Sequence, residues 1–220
     1  MNQPLLLCPS MMCVDYDFLK NEVLKLDQAG IDIFHCDIMD GNYVENMALS
    51  PNDVKSICKN TNKPVDVHLM VTNSEVVCDI YLKTDVSIIY IHPETTKFPN
   101  KLILKIKAAG KKAGIVINPQ DSLSKFNELI PLCDYILVMT VNPGFSGQKY
   151  LEWVEPKINE LLTLKKELNF KLVIDGACSP TVIKKLYPLG VDGFVLGTSA
   201  LFNKNDRYDT IIKQIRDENK

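Results

Sequence analysis

The run His35-Cys36-Asp37-Ile38-Met39-Asp40-Gly41 sets an imidazole and a carboxylate two residues apart at the end of an apolar stretch, Ile31-Asp32-Ile33-Phe34. On an extended strand, residues two apart share a face. Ile33, His35, Asp37 and Met39 therefore line one side, and Phe34, Cys36 and Ile38 the other. An imidazole and a carboxylate delivered together at a strand's carboxyl end can bind a metal ion and move a proton.

The chain has three histidines, and each falls at the end of a strand-like run: His35, His68 in Asp66-Val67-His68-Leu69-Met70, and His92 in His92-Pro93-Glu94-Thr95. A second carboxylate at such an end is Asp175, followed by Gly176. His35, Asp37, His68 and Asp175 make a mixed imidazole–carboxylate set, which suits one divalent ion such as Zn, Mn, Fe or Co better than Mg or Ca. Either histidine taken alone is better explained by a hydrogen bond to backbone; two carboxylates converging with them favour the metal. His92 reads as a brace behind the site or as part of a structural turn.

Three small-residue loops stand after the later strands: Gly144-Phe145-Ser146-Gly147, Gly176-Ala177 and Gly197-Thr198-Ser199. Small side chains let backbone N–H groups approach an anion, so together these loops suit a phosphate. Met39, Met70 and Met139 lie near strand ends as core filling, or as apolar covers over a substrate.

The elements that must hold these groups are short apolar runs alternating with amphipathic stretches. The strand candidates are Leu5–Cys8, Ile31–Asp37, Pro64–Leu69, Val86–His92, Lys112–Ile117, Tyr135–Thr140, Lys171–Asp175 and Gly193–Leu196. Between them lie helical candidates Phe18–Gln28, Asn52–Lys59, Glu75–Lys83, Asn100–Ala109, Tyr150–Leu168, Pro180–Tyr187 and Asp206–Asp217. Eight strand–helix units without a linker imply an α/β fold, a (β/α)8 TIM barrel in a single domain over residues 1–220. An open doubly wound sheet would favour a glycine fingerprint after the first strand; here that strand runs into Cys8-Pro9-Ser10-Met11-Met12.

Composition narrows the function classes. The chain has 220 residues, 46% of them apolar, and a formal charge of −2. Without a long Lys/Arg run, neither nucleic acid nor an anionic membrane is expected as a partner. The start, Met1 to Leu7, lacks a basic region and is too short in apolar residues for a signal peptide, so the chain is expected to be cytoplasmic. Seven scattered cysteines with no C-x-x-C pair argue for reduced, buried thiols.

His35–Gly41, Asp66–Met70, His92–Thr95, Val138-Met139-Thr140-Val141-Asn142-Pro143-Gly144-Phe145-Ser146-Gly147-Gln148 and Asp175-Gly176 resemble the ribulose-phosphate 3-epimerase family along the full chain. Within it, Pro9–Cys13, Leu49-Ser50-Pro51, His92–Thr95, Met139–Val141, Asp175–Cys178 and Gly197–Asn203 look more like D-allulose-6-phosphate 3-epimerase than the pentose-phosphate enzyme. The resemblance implies an isomerase working on a phosphorylated ketose, with one divalent ion held by His35, Asp37, His68 and Asp175. It implies Asp37 and Asp175 as the acid/base pair, Ser10 and His68 against substrate, and the three loops (Gly144, Phe145, Ser146, Gly147; Gly176, Ala177; Gly197, Thr198, Ser199) around the phosphate. The resemblance favours allulose 6-phosphate, with ribulose 5-phosphate as the alternative. One departure stands out: where the family usually has Phe-Val-Pro-Asn, this chain has Tyr43-Val44-Glu45-Asn46.

Rival chemistries on the same scaffold lack their residues. A decarboxylase would want Asp-x-Lys-x-x-Asp, and an aldolase a Schiff-base lysine at a strand end, whereas Lys112 and Lys171 sit at strand beginnings. A sugar-phosphate binding barrel without turnover is the non-enzymatic alternative. A homo-oligomer would need an exposed apolar helix face.

Overall fold

Strands apolar on both faces are stable only where both faces are covered. In the structure, a computed structural model describing residues 4–220, the apolar runs form β1 (Leu6–Pro9), β2 (Phe34–Asp40), β3 (Met47–Ala48), β4 (Val65–Met70), β5 (Ile88–Ile91), β6 (Lys112–Ile117), β7 (Tyr135–Met139), β8 (Lys171–Asp175) and β9 (Gly193–Leu196). The helices are α1 (Leu19–Gln28), α2 (Pro51–Lys59), α3 (Ser74–Tyr81), α4 (Pro99–Ala108), α5 (Glu155–Leu164), α6 (Pro180–Leu186) and α7 (Tyr208–Asp217). Met1, Asn2 and Gln3, part of the stretch read for a leader, lie outside the described residues. Among the described residues no helix is long and apolar enough to cross a membrane.

All strands but β3 run parallel, in the order β1-β9-β8-β7-β6-β5-β4-β2. The sheet closes where β1 meets β2. Ser10 bridges His35 in parallel, the Asp32 N–H donates to the Leu7 carbonyl at 3.0 Å, and the Leu7 N–H donates to the Asp32 carboxylate at 2.8 Å. Arg216 of α7 locks the same corner, donating to Asp32 at 2.8 Å and to the Gly30 carbonyl at 2.7 Å. The result is the expected (β/α)8 barrel.

Strand parity divides the core in two. Leu7, Phe34, Cys36, Val67, Ile89, Ile115, Ile136 and Ile174 belong to the large cluster shared with the helices, while Leu6, Cys8, Tyr90, Val116, Leu137, Val173 and Val195 fill the barrel's interior. All seven cysteines are free. Tyr90 is buried at 1% exposure, and its ring occupies space that only Gly114 leaves open: a Cβ there would stand 2.4 Å from the ring.

Several elements differ from expectation. The eighth crossover helix implied by the unit count is absent; between β6 and β7 the chain passes through two 3-10 turns, Leu123–Phe126 and Ile130–Leu132. Pro131 lies in the second, where it has no N–H to donate to a longer helix. The stretch Tyr150–Leu168 contains α5 at Glu155–Leu164, preceded by a 3-10 turn, with Pro156 accepted in the first turn. The second strand begins at Phe34 rather than Ile31, because Asp32 is spent on closing the barrel. The short antiparallel arm β3, paired with Met39 and Asp40, was not expected.

Asp40, at the end of β2, ties the following loop down. Its carboxylate accepts from the N–H groups of Asn42 (2.9 Å), Tyr43 (2.8 Å) and Thr72 (2.8 Å), and from the Thr72 hydroxyl at 2.8 Å. Slight burial raises its pKa, but these donors outweigh that and bring it from 3.8 to about 2.

Two stability outcomes follow from these contacts. Gly114→Ala forces a methyl into a fully packed ring, and chemical denaturation is expected to show a loss of about 1–3 kcal/mol; a neutral change would mean that Tyr90 has room to yield. Asp40 has a folded pKa below its unfolded value, so its contribution is present above pH 3.8 and is lost as pH falls through about 2. The carboxylate is only half-buried, at the rim of the barrel, so solvent screening keeps that contribution near or below about 1 kcal/mol. The stability gap between wild type and Asp40→Asn is therefore expected to shrink between pH 4 and pH 2, and a gap independent of pH would assign the effect to shape rather than charge.

Candidate active site

Parallel register brings the chemistry together. β2 and β4 pair with Asp37 beside His68 and His35 beside Asp66, and β8 brings Asp175 to the same end of the barrel. His35 Nε2 lies 3.3 Å from Asp37 Oδ1 and 3.7 Å from Asp175 Oδ2, and His68 Nδ1 lies 3.2 Å and 3.5 Å from the same two oxygens. One ligating atom from each of the four residues falls within 4.8 Å of all the others. His35 and His68 are wholly buried, and Asp37 is nearly so.

The charges are balanced within the cluster. Burial alone would raise the Asp37 carboxyl, yet His35 and His68 hold it far below the usual carboxylate range. Asp175 is lowered by the same two imidazoles against burial and the charge of Asp37. Burial would conversely depress the histidines, but Asp66 and Asp37 raise His35, and Asp175 and Asp37 raise His68. A divalent cation fits this donor set: two imidazole nitrogens and two carboxylates converge, and His35 Nε2 is buried with no hydrogen-bond partner.

A second ring of residues braces the first. His35 Nδ1 is 2.7 Å from Asp66 Oδ1, within ion-pair distance although off the line of a good hydrogen bond. The Ser10 hydroxyl donates to Asp37 Oδ2 at 2.7 Å. His92 Nε2 is 2.9 Å from His68 Nε2, and on its other side His92 Nδ1 is 2.8 Å from the Tyr43 hydroxyl. Both readings left open for His92 are met: its ring touches a candidate ligand, and its carbonyl opens the 3-10 turn Pro93–Thr95, accepting from the Thr95 N–H at 3.0 Å. Burial holds the His92 pKa down at about 4, with Glu94 partly opposing.

Above the cluster opens a cleft. Ser10, Asp37, Asp175 and all the small-residue positions expected around a phosphate line it: Gly144, Phe145, Ser146, Gly147, Gly176, Ala177, Gly197, Thr198 and Ser199. His35 and His68, the latter expected against substrate, meet Asp37 and Asp175 but do not themselves line the cleft. Phe145 is half exposed on the rim. Met39, Met70 and Met139 are buried and line the walls, which joins the two roles left open for them. Gly176 adopts φ 120°, and a Cβ there would stand 2.8 Å from the Val141 nitrogen, so the backbone approach requires glycine.

Sequence reading missed Asp66, Tyr43 and Asn118 as neighbours of the site. The signal for two of them was parity: Asp66 precedes His68 by two residues, and Asn118 follows inward Val116 by two. Met12 and Cys13, also on the cleft wall, lie in a 3-10 turn with no such alternation.

Comparison with solved structures shows the barrel fold. Phosphoribosyl anthranilate isomerase from Thermus thermophilus superposes with a TM-score of 0.70 at 8% identity, covering 96% of this chain and 98% of that one. A mutant tryptophan synthase alpha-subunit from Pyrococcus furiosus gives 0.67 at 12% identity, covering 99% and 98%. Sequence relatives are closer. A ribulose-phosphate 3-epimerase of Synechocystis sp. is 36% identical over 92% of this chain and 90% of its own. One from Escherichia coli K12 is 35% identical over 97% and 95%. The family model described as "Ribulose-phosphate 3 epimerase family" matches residues 6–202. With that match running from β1 to beyond β9, the chain belongs to the ribulose-phosphate 3-epimerase family, isomerases that act on carbohydrate phosphates.

Proposed function

We propose that this protein inverts carbon 3 of a phosphorylated ketose, converting D-ribulose 5-phosphate and D-xylulose 5-phosphate into one another. The observation that carries the reading is the meeting of Asp37 and Asp175 with two imidazoles, within 4.8 Å, on the floor of a cleft ringed by small-residue loops. The relatives' names favour the pentose. Allulose 6-phosphate is the second reading. Its support is that residues in the allulose-like motifs, among them Ser10, Met12, Cys13, Ala177 and Thr198, sit on the cleft wall where a sixth carbon would be felt.

Inversion beside a ketone requires a proton to leave one face and return to the other. In this proposal one of Asp37 and Asp175 takes the proton while the other supplies one. The two share the same imidazoles, so they titrate as a unit rather than as two independent acids. Ser10 holds Asp37 by the 2.7 Å bond to Oδ2, leaving Oδ1 turned to the histidines. His35, Asp37, His68 and Asp175 would hold a divalent ion, which when bound supplies Lewis-acid stabilisation of charge developing on the substrate oxygens, worth several kcal/mol. The loops Gly144–Gly147, Gly176–Ala177 and Gly197–Ser199 receive the phosphate through backbone N–H groups. The walls of Met39, Met70 and Met139 keep water from the reacting carbon.

Asp37→Asn and Asp175→Asn are each expected to lower turnover by at least about 10²–10⁴-fold with the circular dichroism spectrum unchanged. Near-normal turnover in either would remove that residue from the proton transfer. The substrate is tested by rates on ribulose 5-phosphate and allulose 6-phosphate, measured side by side on chelator-stripped enzyme and after adding back Zn, Mn, Fe or Co. Activity is expected only with metal and faster on the pentose. A preference for the hexose would install the second reading, and full activity in the stripped protein would retire the ion.

A further inference from the structure

The hydrogens between Glu94 and His68 are assigned by their neighbours. The Tyr43 hydroxyl donates to Glu94 Oε1 at 2.6 Å, and a carboxylate can only accept. Asn118 Nδ2 donates to the same oxygen at 2.8 Å and to the Tyr43 oxygen at 3.0 Å. With its one proton spent, the Tyr43 oxygen accepts, so His92 Nδ1, 2.8 Å away, carries a hydrogen. A neutral imidazole has a single N–H, which leaves a lone pair on His92 Nε2. His68 Nε2, 2.9 Å from it, is then the donor. His68 Nδ1 is left facing Asp37 Oδ1 at 3.2 Å and Asp175 Oδ2 at 3.5 Å. A hydrogen on Nδ1 can meet those oxygens, giving the imidazolium; once it leaves, the lone pair is aimed at a divalent ion standing among the carboxylates.

We propose that Tyr43, anchored by Glu94 and Asn118, is a positioning residue that fixes the tautomers of His92 and then His68, turning His68 Nδ1 toward a divalent ion. The inference rests on reading His68 as a ligand of that ion. Ring packing holds the relay in line: His68 and His92 stack with centroids 5.1 Å apart, and the Tyr43 ring lies 4.6 Å from that of His92. Both histidines are fully buried, so bulk water offers no alternative partner. Buried partners that orient a ligating histidine commonly contribute 10–100-fold to metal affinity. Tyr43 comes from the loop that Asp40 pins, so the clamp on the loop and the alignment of the ligand are one mechanical system.

The test reads the ring nitrogens directly. The chain has three histidines, so ¹⁵N spectra of histidine-labelled, Zn²⁺-loaded protein resolve each ring. In the wild type His92 is expected to be protonated at Nδ1, and His68 at Nε2 with a metal-shifted Nδ1. Tyr43→Phe, which keeps the ring and removes the hydroxyl, is expected to move His92 toward a mixture of tautomers and weaken Zn²⁺ binding by about tenfold. Finding the His92 hydrogen on Nε2 in the wild type overturns the proposal. So does a Tyr43→Phe protein whose ring-nitrogen shifts and Zn²⁺ affinity stay within about twofold of wild type. His68→Gln separates the two levels: if it leaves Zn²⁺ affinity intact, the ligand reading fails and the inference with it. If it weakens binding while Tyr43→Phe does not, the positioning role alone is lost.

Discussion

Two carboxylates held side by side, Asp37 buried and Asp175 open only to the cleft, are the condition this molecule is built to satisfy. At an effective dielectric near 20, like charges about 4 Å apart repel by about 4 kcal/mol, and burial adds its own penalty. Asp37 and Asp175 meet under these terms, and the groups that lower them most are His35 and His68 rather than a lysine or arginine. Two imidazoles supply the compensation instead, and each is raised by the carboxylates it serves. The arrangement therefore depends on positive charge arriving from groups that can give it up. That is also what lets the same four residues accept a cation.

Such a balance tolerates little displacement, which is why it sits on strands. A one-residue slip between β2 and β4 would turn His68 outward and put Val67 or Leu69 in its place. Closure at β1–β2 matters for the same reason. The exchange between Leu7 and Asp32, reinforced by Arg216, fixes the height at which Ser10 reaches Asp37.

This explains what was legible before any coordinates. Period-two alternation turned His35 and Asp37 to one side and Cys36 to the other, and the structure packs Cys36 among the helix-facing residues and His35 inside. The same rule applied to β4, β5 and β6 points Asp66, His92 and Asn118 inward, yet alternation gives direction and not partner. Strand register decides that Asp66 stands beside His35, and the turn after β5 decides that Glu94 meets Asn118. Tyr43 was out of reach for a different reason. It belongs to a loop, where side-chain direction follows the Asp40 hydrogen bonds rather than a period. The missing crossover helix and the arm β3 likewise follow from local chemistry, Pro131 and the turn after Asp40, that an element count averages away.

The loops carry the last step. Where the resemblance leads one to expect a proline, this chain has Glu45, which is exposed and lacks a proline's constraint on the backbone. Stiffness comes from elsewhere: Asp40 accepts from Asn42 and Tyr43, and Asn46 Nδ2 donates to the Gly144 carbonyl at 2.7 Å. Val44 packs so closely on Gly144, itself at φ 119°, that a Cβ there would come within 3.1 Å. The loop after β2 thus leans on the loop after β7, across the mouth of the cleft. From the first of these loops Tyr43 reaches down to His92, and His92 to His68. The rim loops and the His92–His68 contact are in this way connected through one side chain, beside the strands that hold the aspartates.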